Sequence, residues 1–166
     1  MKQKLFFLTL LLLSVLATSC NSWQVMPREY RHVKIKSERE KAYVVNKDSL
    51  KKQYKILRKS EIFELTDDAT TPLKITLAQP SIGRLGPSCG TGAVTALFVT
   101  LGQLPIHMED GEVFSFEENR DGKITTREFR IELRQTMWFW NMFLFDQNRN
   151  KKLARGLRGH YYAQQQ

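Results

Sequence analysis

The chain is short of the residues from which tight chemical sites are built. Two cysteines and three histidines in 166 residues leave no cysteine and histidine cluster of the kind that holds zinc. No Gly-x-Ser-x-Gly elbow and no His-Glu-x-x-His helix occurs. The glycine-dense stretch Gly90-Thr91-Gly92-Ala93-Val94-Thr95 lacks the third glycine and the lysine that a nucleotide phosphate loop requires, and reads as a turn into a core element. Cys89 would need His32, His107 or His160 beside it to act as a nucleophile, and these are scattered along the chain. A small buried apolar role is the plainer expectation for its thiol. No enzymatic activity, cofactor or metal is therefore expected.

Long apolar runs are lacking too. Leu5 to Leu16 is 12 residues, which as a helix covers roughly 18 Å against the roughly 30 Å of a hydrocarbon core. Ala93 to Leu101 is shorter still and reads as a buried element. Length makes a spanning anchor the weaker reading for the first run, and the second is too short to cross a bilayer. Acidic residues are the minority, 17 against 26 lysines and arginines, for a net charge of +9.

What is present begins at the first residue. Lys2 and Lys4 precede the apolar run, and Ala17-Thr18-Ser19 precede Cys20. A basic start, a short apolar middle and small residues before a cleavage point make a secretory signal peptide. A cysteine immediately after the small residues can carry its thiolate to a lipid donor, and here the segment resembles the leader of bacterial lipoproteins. The resemblance implies a signal peptide over 1–19 and acylation of Cys20, with palmitate-type chains holding the protein at a membrane at about 0.8 kcal/mol per buried methylene. Leu16 lies four residues before the cysteine rather than three, so an ordinary secretory cleavage nearby is the competing reading.

Export changes what the charge means. Loss of Lys2 and Lys4 with the leader leaves a chain that is still basic, and basic proteins seek anionic partners. Outside the cytoplasm these are lipid headgroups, acidic envelope polymers or an envelope protein, and not nucleic acid. Residues 20–31 contain Pro27 and no clear period, as a lipidated N-terminus and tether would. In Bacteroidota lipoproteins an acidic run after the cysteine marks surface export. Asn21-Ser22-Trp23-Gln24 stands there instead, which points to the outer membrane's periplasmic side.

Residues 32–166 are expected to form a single β-rich domain. Alternation predicts strands at Val33 to Ser37 and Ala42 to Val45, and again at Glu61 to Leu65 and Leu73 to Leu77. Ser49 to Leu57 fits a strand or a short helix. Val113 to Glu118 and Ile124 to Leu133 form a hairpin about Asp121-Gly122, a step suited to positive φ. Phe129, Ile131 and Leu133 would then face inward and Arg130, Glu132 and Arg134 outward. Beyond Met137, Trp138 to Phe145 is the densest aromatic stretch and reads as core. Leu153, Leu157 and Tyr161 recur at fourfold spacing behind Asp146 or Asn148 as a cap, which predicts an amphipathic C-terminal helix.

The stretch 33–77, ending in Thr71-Pro72-Leu73-Lys74-Ile75-Thr76-Leu77, is similar to envelope β-domains of the PEGA type, without their proline or glycine after the serine and without the glycine before Thr-Pro. The resemblance implies a β-sandwich-like arrangement. Thr100-Leu101-Gly102-Gln103-Leu104-Pro105 and Phe114-Ser115-Phe116 resemble uncharacterised Bacteroidota envelope lipoproteins and imply no activity. The expected fold is mainly β, of the α+β class, with a small antiparallel sheet or sandwich and a C-terminal helix.

Two surfaces are candidate binding sites. Lys151, Lys152, Arg155 and Arg158 decorate the C-terminal helix and could meet an anionic envelope component. The segment 117–128 resembles an EF-hand calcium loop, with Asn119, Asp121, Gly122, Ile124 and Glu128 in matching positions, but Glu117 replaces the usual first aspartate and Arg120 and Arg127 bring positive charge. The expected function is that of a non-catalytic, lipid-anchored envelope protein with a structural or binding role, the alternative being a calcium-binding module.

Overall fold

The computed structural model describes residues 21–35, 37–79, 99, 105–138, 141 and 148–165. Chain contacts divide it into two compact units, one of residues 24–85, 109–134 and 148–166, the other of residues 1–23, 86–108 and 135–147. The elements in chain order are β1 (Asn21–Met26), a 3-10 turn (Arg28–Arg31), β2 (Lys41–Val44), α1 (Lys51–Ser60), β3 (Glu64–Thr66), β4 (Leu73–Leu77), β5 (Ile106–Arg120), β6 (Lys123–Met137) and α2 (Arg149–Ala163). The six strands form one mixed sheet in the order β1-β6-β5-β4-β2-β3. The fold is α+β and mainly β, with a C-terminal helix.

The period-two pattern of the larger unit decides which face carries the core. Leu73, Ile75 and Leu77 of β4, Phe114 and Phe116 of β5, and Phe129, Ile131 and Leu133 of β6 are all buried, while Lys74, Thr76, Glu117, Arg130 and Glu132 between them are exposed. One face of the sheet is therefore apolar and the other solvated. Both helices supply apolar residues to this core. Gln53, Ile56, Leu57 and Ser60 form the buried stripe of α1, and Leu153, Leu157 and Tyr161 that of α2. The two helices pack against each other. Each fully buried leucine or isoleucine contributes about 1.5–3 kcal/mol.

Asp121 and Gly122 take positive φ, 50° and 89°, and turn β5 directly into β6. Asn119 Oδ1 accepts the Gly122 amide at 3.0 Å, fixing the turn. β4 runs antiparallel to β5 with Leu73 opposite Arg120 and Leu77 opposite Phe116. β2 runs parallel to β3 and to β4. The sheet is thus mixed rather than wholly antiparallel, because α1 carries the chain back between β2 and β3, and a helical crossover returns a strand in the same direction. Among the described residues the sandwich-like arrangement does not form: helices, not a second sheet, contribute the other layer of the core.

Two local expectations are corrected. Residues 21–31 are not a free tether, since 21–26 pair as an edge strand and Arg31 Nε donates to the Val25 carbonyl at 2.7 Å. An edge strand with one apolar core contact, Val25, needs no alternating signature. Val33 to Ile35 is not a strand, for β2 already has a neighbour on each side and Ile35 is left 45% exposed. The stretch 49–57 resolves as helix because Gln53, Ile56, Leu57 and Ser60 lie at i, i+3, i+4 and i+7. The apolar run 93–101, apart from Val99, and most of the aromatic stretch 138–145 lie outside the described residues. No helix among the described residues is long and apolar enough to cross a membrane.

Candidate functional site

On α2, Lys151, Arg155 and Arg158 are spaced by four and three residues, which places them along one face of the helix. Asn148 caps that helix by accepting the Lys151 amide at 3.2 Å. α1 approaches the same face with its last turn. It ends where Glu61 takes the left-handed conformation, φ 56°, so that Lys59 and Glu61 meet the α2 cations. Lys59, Glu61, Lys151, Arg155, Arg158 and Ile35 line one open groove. Arg158 Nη1 donates to Glu61 Oε2 at 3.2 Å. Its Nε is buried and has no hydrogen-bond partner among the described residues. Four cations and one carboxylate line the groove, and the exposed Ile35 adds an apolar lip.

Lys152 does not line this groove. It follows Lys151 directly and so lies about 100° around the helix. Of the four cations the sequence singles out, the structure gathers three and adds Lys59 from another element. Cys20 and Cys89 lie outside the described residues. His107 Nδ1 sits 2.9 Å from Thr136 Oγ1, and His160 stacks obliquely on Tyr30.

A second polar cluster is built into the sheet. β5 places Glu112 and Glu118 in phase with Phe114 and Phe116, so both carboxylates point to the buried face. Glu112 is met by Arg149, whose Nη1 donates to it at 2.8 Å and whose Nε donates to Asp110 at 2.9 Å. Lys52 Nζ lies 3.2 Å from the same Glu112. Burial works against the Arg149 charge, but the two carboxylates together outweigh it and hold the guanidinium above its ordinary pKa.

Glu118 lies deeper, with its side chain 1% exposed. Tyr161 donates its hydroxyl to Glu118 Oε1 at 3.3 Å. Arg120 Nη2 is 3.5 Å from Oε2 and Arg127 Nε is 3.7 Å from Oε1. Burial, reinforced by the Glu118 charge, pushes the Tyr161 phenol well above its ordinary pKa. Arg120 is also clamped from outside by Glu40, through contacts of 3.2 and 2.7 Å. Phe63 and Phe129 each make ring contacts with Tyr161, and Phe116 makes ring contacts with both of these phenylalanines.

The EF-hand-like loop lies in the expected hairpin. Its flanks are β5 and β6 and not helices, Asn119 spends its side-chain oxygen on the turn, and Glu128 projects from the exposed face of β6. No group of three or more potential metal ligands occurs among the described residues. The sequence reading missed Lys59, Glu61 and the Glu118 cluster. Glu118 did carry a signal: a carboxylate in the apolar phase of an alternating strand must be buried and partnered.

No protein-family model matches the chain, and no curated protein does. Among solved structures, a crystal structure of a minor lipoprotein from Acinetobacter baumannii aligns at 12% identity over 77% of this chain and 87% of that one, with a TM-score of 0.29. The fold described above rests on this chain's own sheet and helices.

Proposed function

We propose that this chain is a non-catalytic, lipid-anchored protein of the bacterial cell envelope, tethered through Cys20 at the periplasmic face of the outer membrane, and that its groove between α1 and α2 binds an anionic membrane surface. The anchor is supported by the leader and the small residues before Cys20. The binding role is carried by one observation: Lys59 from α1 and Lys151, Arg155 and Arg158 from α2 line a single groove. Each cation close to an anionic surface contributes about 1 kcal/mol, so several acting together supplement a lipid anchor without replacing it. The Arg158 Nε, buried and unspent, is a donor suited to a phosphate oxygen.

The test is co-sedimentation of the Cys20→Ala chain with vesicles of phosphatidylglycerol and phosphatidylcholine, which separates the groove from the anchor. The Lys151→Glu/Arg155→Glu variant is expected to lose binding, and Lys152→Glu, outside the groove, to retain more of it. Equal binding by the groove variant and the parent would remove the groove from the proposal.

A further inference from the structure

Two buried polar atoms beside the hairpin turn lie near an opposite charge without making a hydrogen bond: Arg120 Nη2 is 3.5 Å from Glu118 Oε2, and Arg127 Nε is 3.7 Å from Glu118 Oε1. Glu118 Oε2 accepts no hydrogen bond among the described residues, and Arg127 Nε donates none. Burying such an atom without a hydrogen bond is costly. Both residues line one pocket, together with Arg120, Lys123 and Thr125. The other oxygen of Glu118 is engaged by the Tyr161 hydroxyl, and Arg120 gives its hydrogen bonds to Glu40 while facing Glu118 Oε2 at 3.5 Å. The hydrogen-bonding positions still open in this pocket are thus an acceptor on Glu118 and donors on Arg127 and Lys123.

The signs select the ligand. A simple anion drawn to Lys123 and Arg127 would meet the Glu118 carboxylate, and a simple cation drawn to Glu118 would meet three basic side chains. A small group bearing an ammonium and a carboxylate on one carbon satisfies both. We propose that the pocket of Glu118, Arg120, Lys123, Thr125 and Arg127 binds an amino-acid zwitterion, with its ammonium on Glu118 Oε2 and its carboxylate on Lys123 and Arg127. This site is on the hairpin and is independent of the groove between the helices.

The experiment follows the Arg127 Nε–H resonance and backbone amides of 121–127 by NMR while the Cys20→Ala chain is titrated with four probes. Alanine carries both charges, N-acetylalanine only the carboxylate, alaninamide only the ammonium, and Nε-acetyllysine the full zwitterion at the end of a longer chain. Alanine is expected to shift these resonances saturably at millimolar concentration, with the singly charged probes at least about tenfold weaker. Binding of alanine without Nε-acetyllysine assigns a free amino acid, and binding of both assigns an amino-acid end on a longer molecule. Glu118→Gln is expected to weaken alanine binding at least about tenfold. Should that variant fail to fold, Lys123→Met, at an exposed position, is expected to weaken it as well. Absence of a shift with alanine, or equal binding of N-acetylalanine, overturns the proposal.

Discussion

Gly159 of α2 packs directly on Tyr30 of the 3-10 turn: a Cβ at 159 would stand 2.9 Å from the Tyr30 Cα and 2.8 Å from its Cγ. Because backbone is among the obstructing atoms, rotation of one side chain cannot relieve the clash. Gly159→Ala gains about 1 kcal/mol of helix propensity and loses about 1–3 kcal/mol to overpacking. The expected outcome is a net loss of stability, read as a lower urea midpoint.

The next residue gives a pH dependence. His160 lies with its ring centroid 4.3 Å from that of Tyr30. Burial lowers its pKa below 6.5, with Glu132 working against the shift. A depressed folded-state pKa means that the neutral ring's contribution is complete above the unfolded value and is lost as pH falls through the folded one. Melting temperature should decline as the buffer is taken below pH 6.5. His160→Phe should flatten that part of the profile.

Arg149 is the main partner of the nearly buried Glu112. Arg149→Met removes the donor to Glu112 and to Asp110, leaving a carboxylate whose side chain is 7% exposed with only the more distant Lys52. Breaking a buried pair from one side costs about 3–5 kcal/mol. The solvent reached by Arg149 and Lys52 brings the expected loss to about 2–3 kcal/mol, measured by chemical denaturation.

Glu61 offers a variant that separates binding from folding. Glycine at φ 56° relieves about 1 kcal/mol of backbone strain, while the pair between Glu61, 45% exposed, and the more buried Arg158, 12% exposed, contributes about 1 kcal/mol. Glu61→Gly should therefore leave the melting temperature nearly unchanged. By removing the groove's carboxylate it should strengthen binding to anionic vesicles about fivefold.

Intact mass and membrane fractionation check the anchor. The wild-type chain expressed in a bacterium with lipoprotein processing should carry a lipid mass on Cys20 and partition with membranes. Cys20→Ala should lose the lipid and shift toward the soluble fraction.

Much of the larger unit was legible because its pattern is local. The alternation of β4 and β6, the Asp121-Gly122 turn and the fourfold spacing of Leu153, Leu157 and Tyr161 each report a buried face directly. α1 was ambiguous because its buried stripe begins with Gln53 and ends with Ser60, so polar residues bound the helical period. β1 was missed because an edge strand covered only at Val25 requires little apolar sequence. Lys151, Arg155 and Arg158 could be found from helical spacing alone. Lys59 could not, since its place beside them depends on how α1 packs on α2, a relation between segments about ninety residues apart.

The strand β1 begins at Asn21, immediately after the proposed acylation site. Eleven free residues could stretch over roughly 36 Å, but residues committed to a sheet pay out no such slack. A protein anchored in this way works on a very short leash. With Cys20 acylated as proposed, it would reach partners that lie at the bilayer surface or travel to it, and a target held farther away would be out of range.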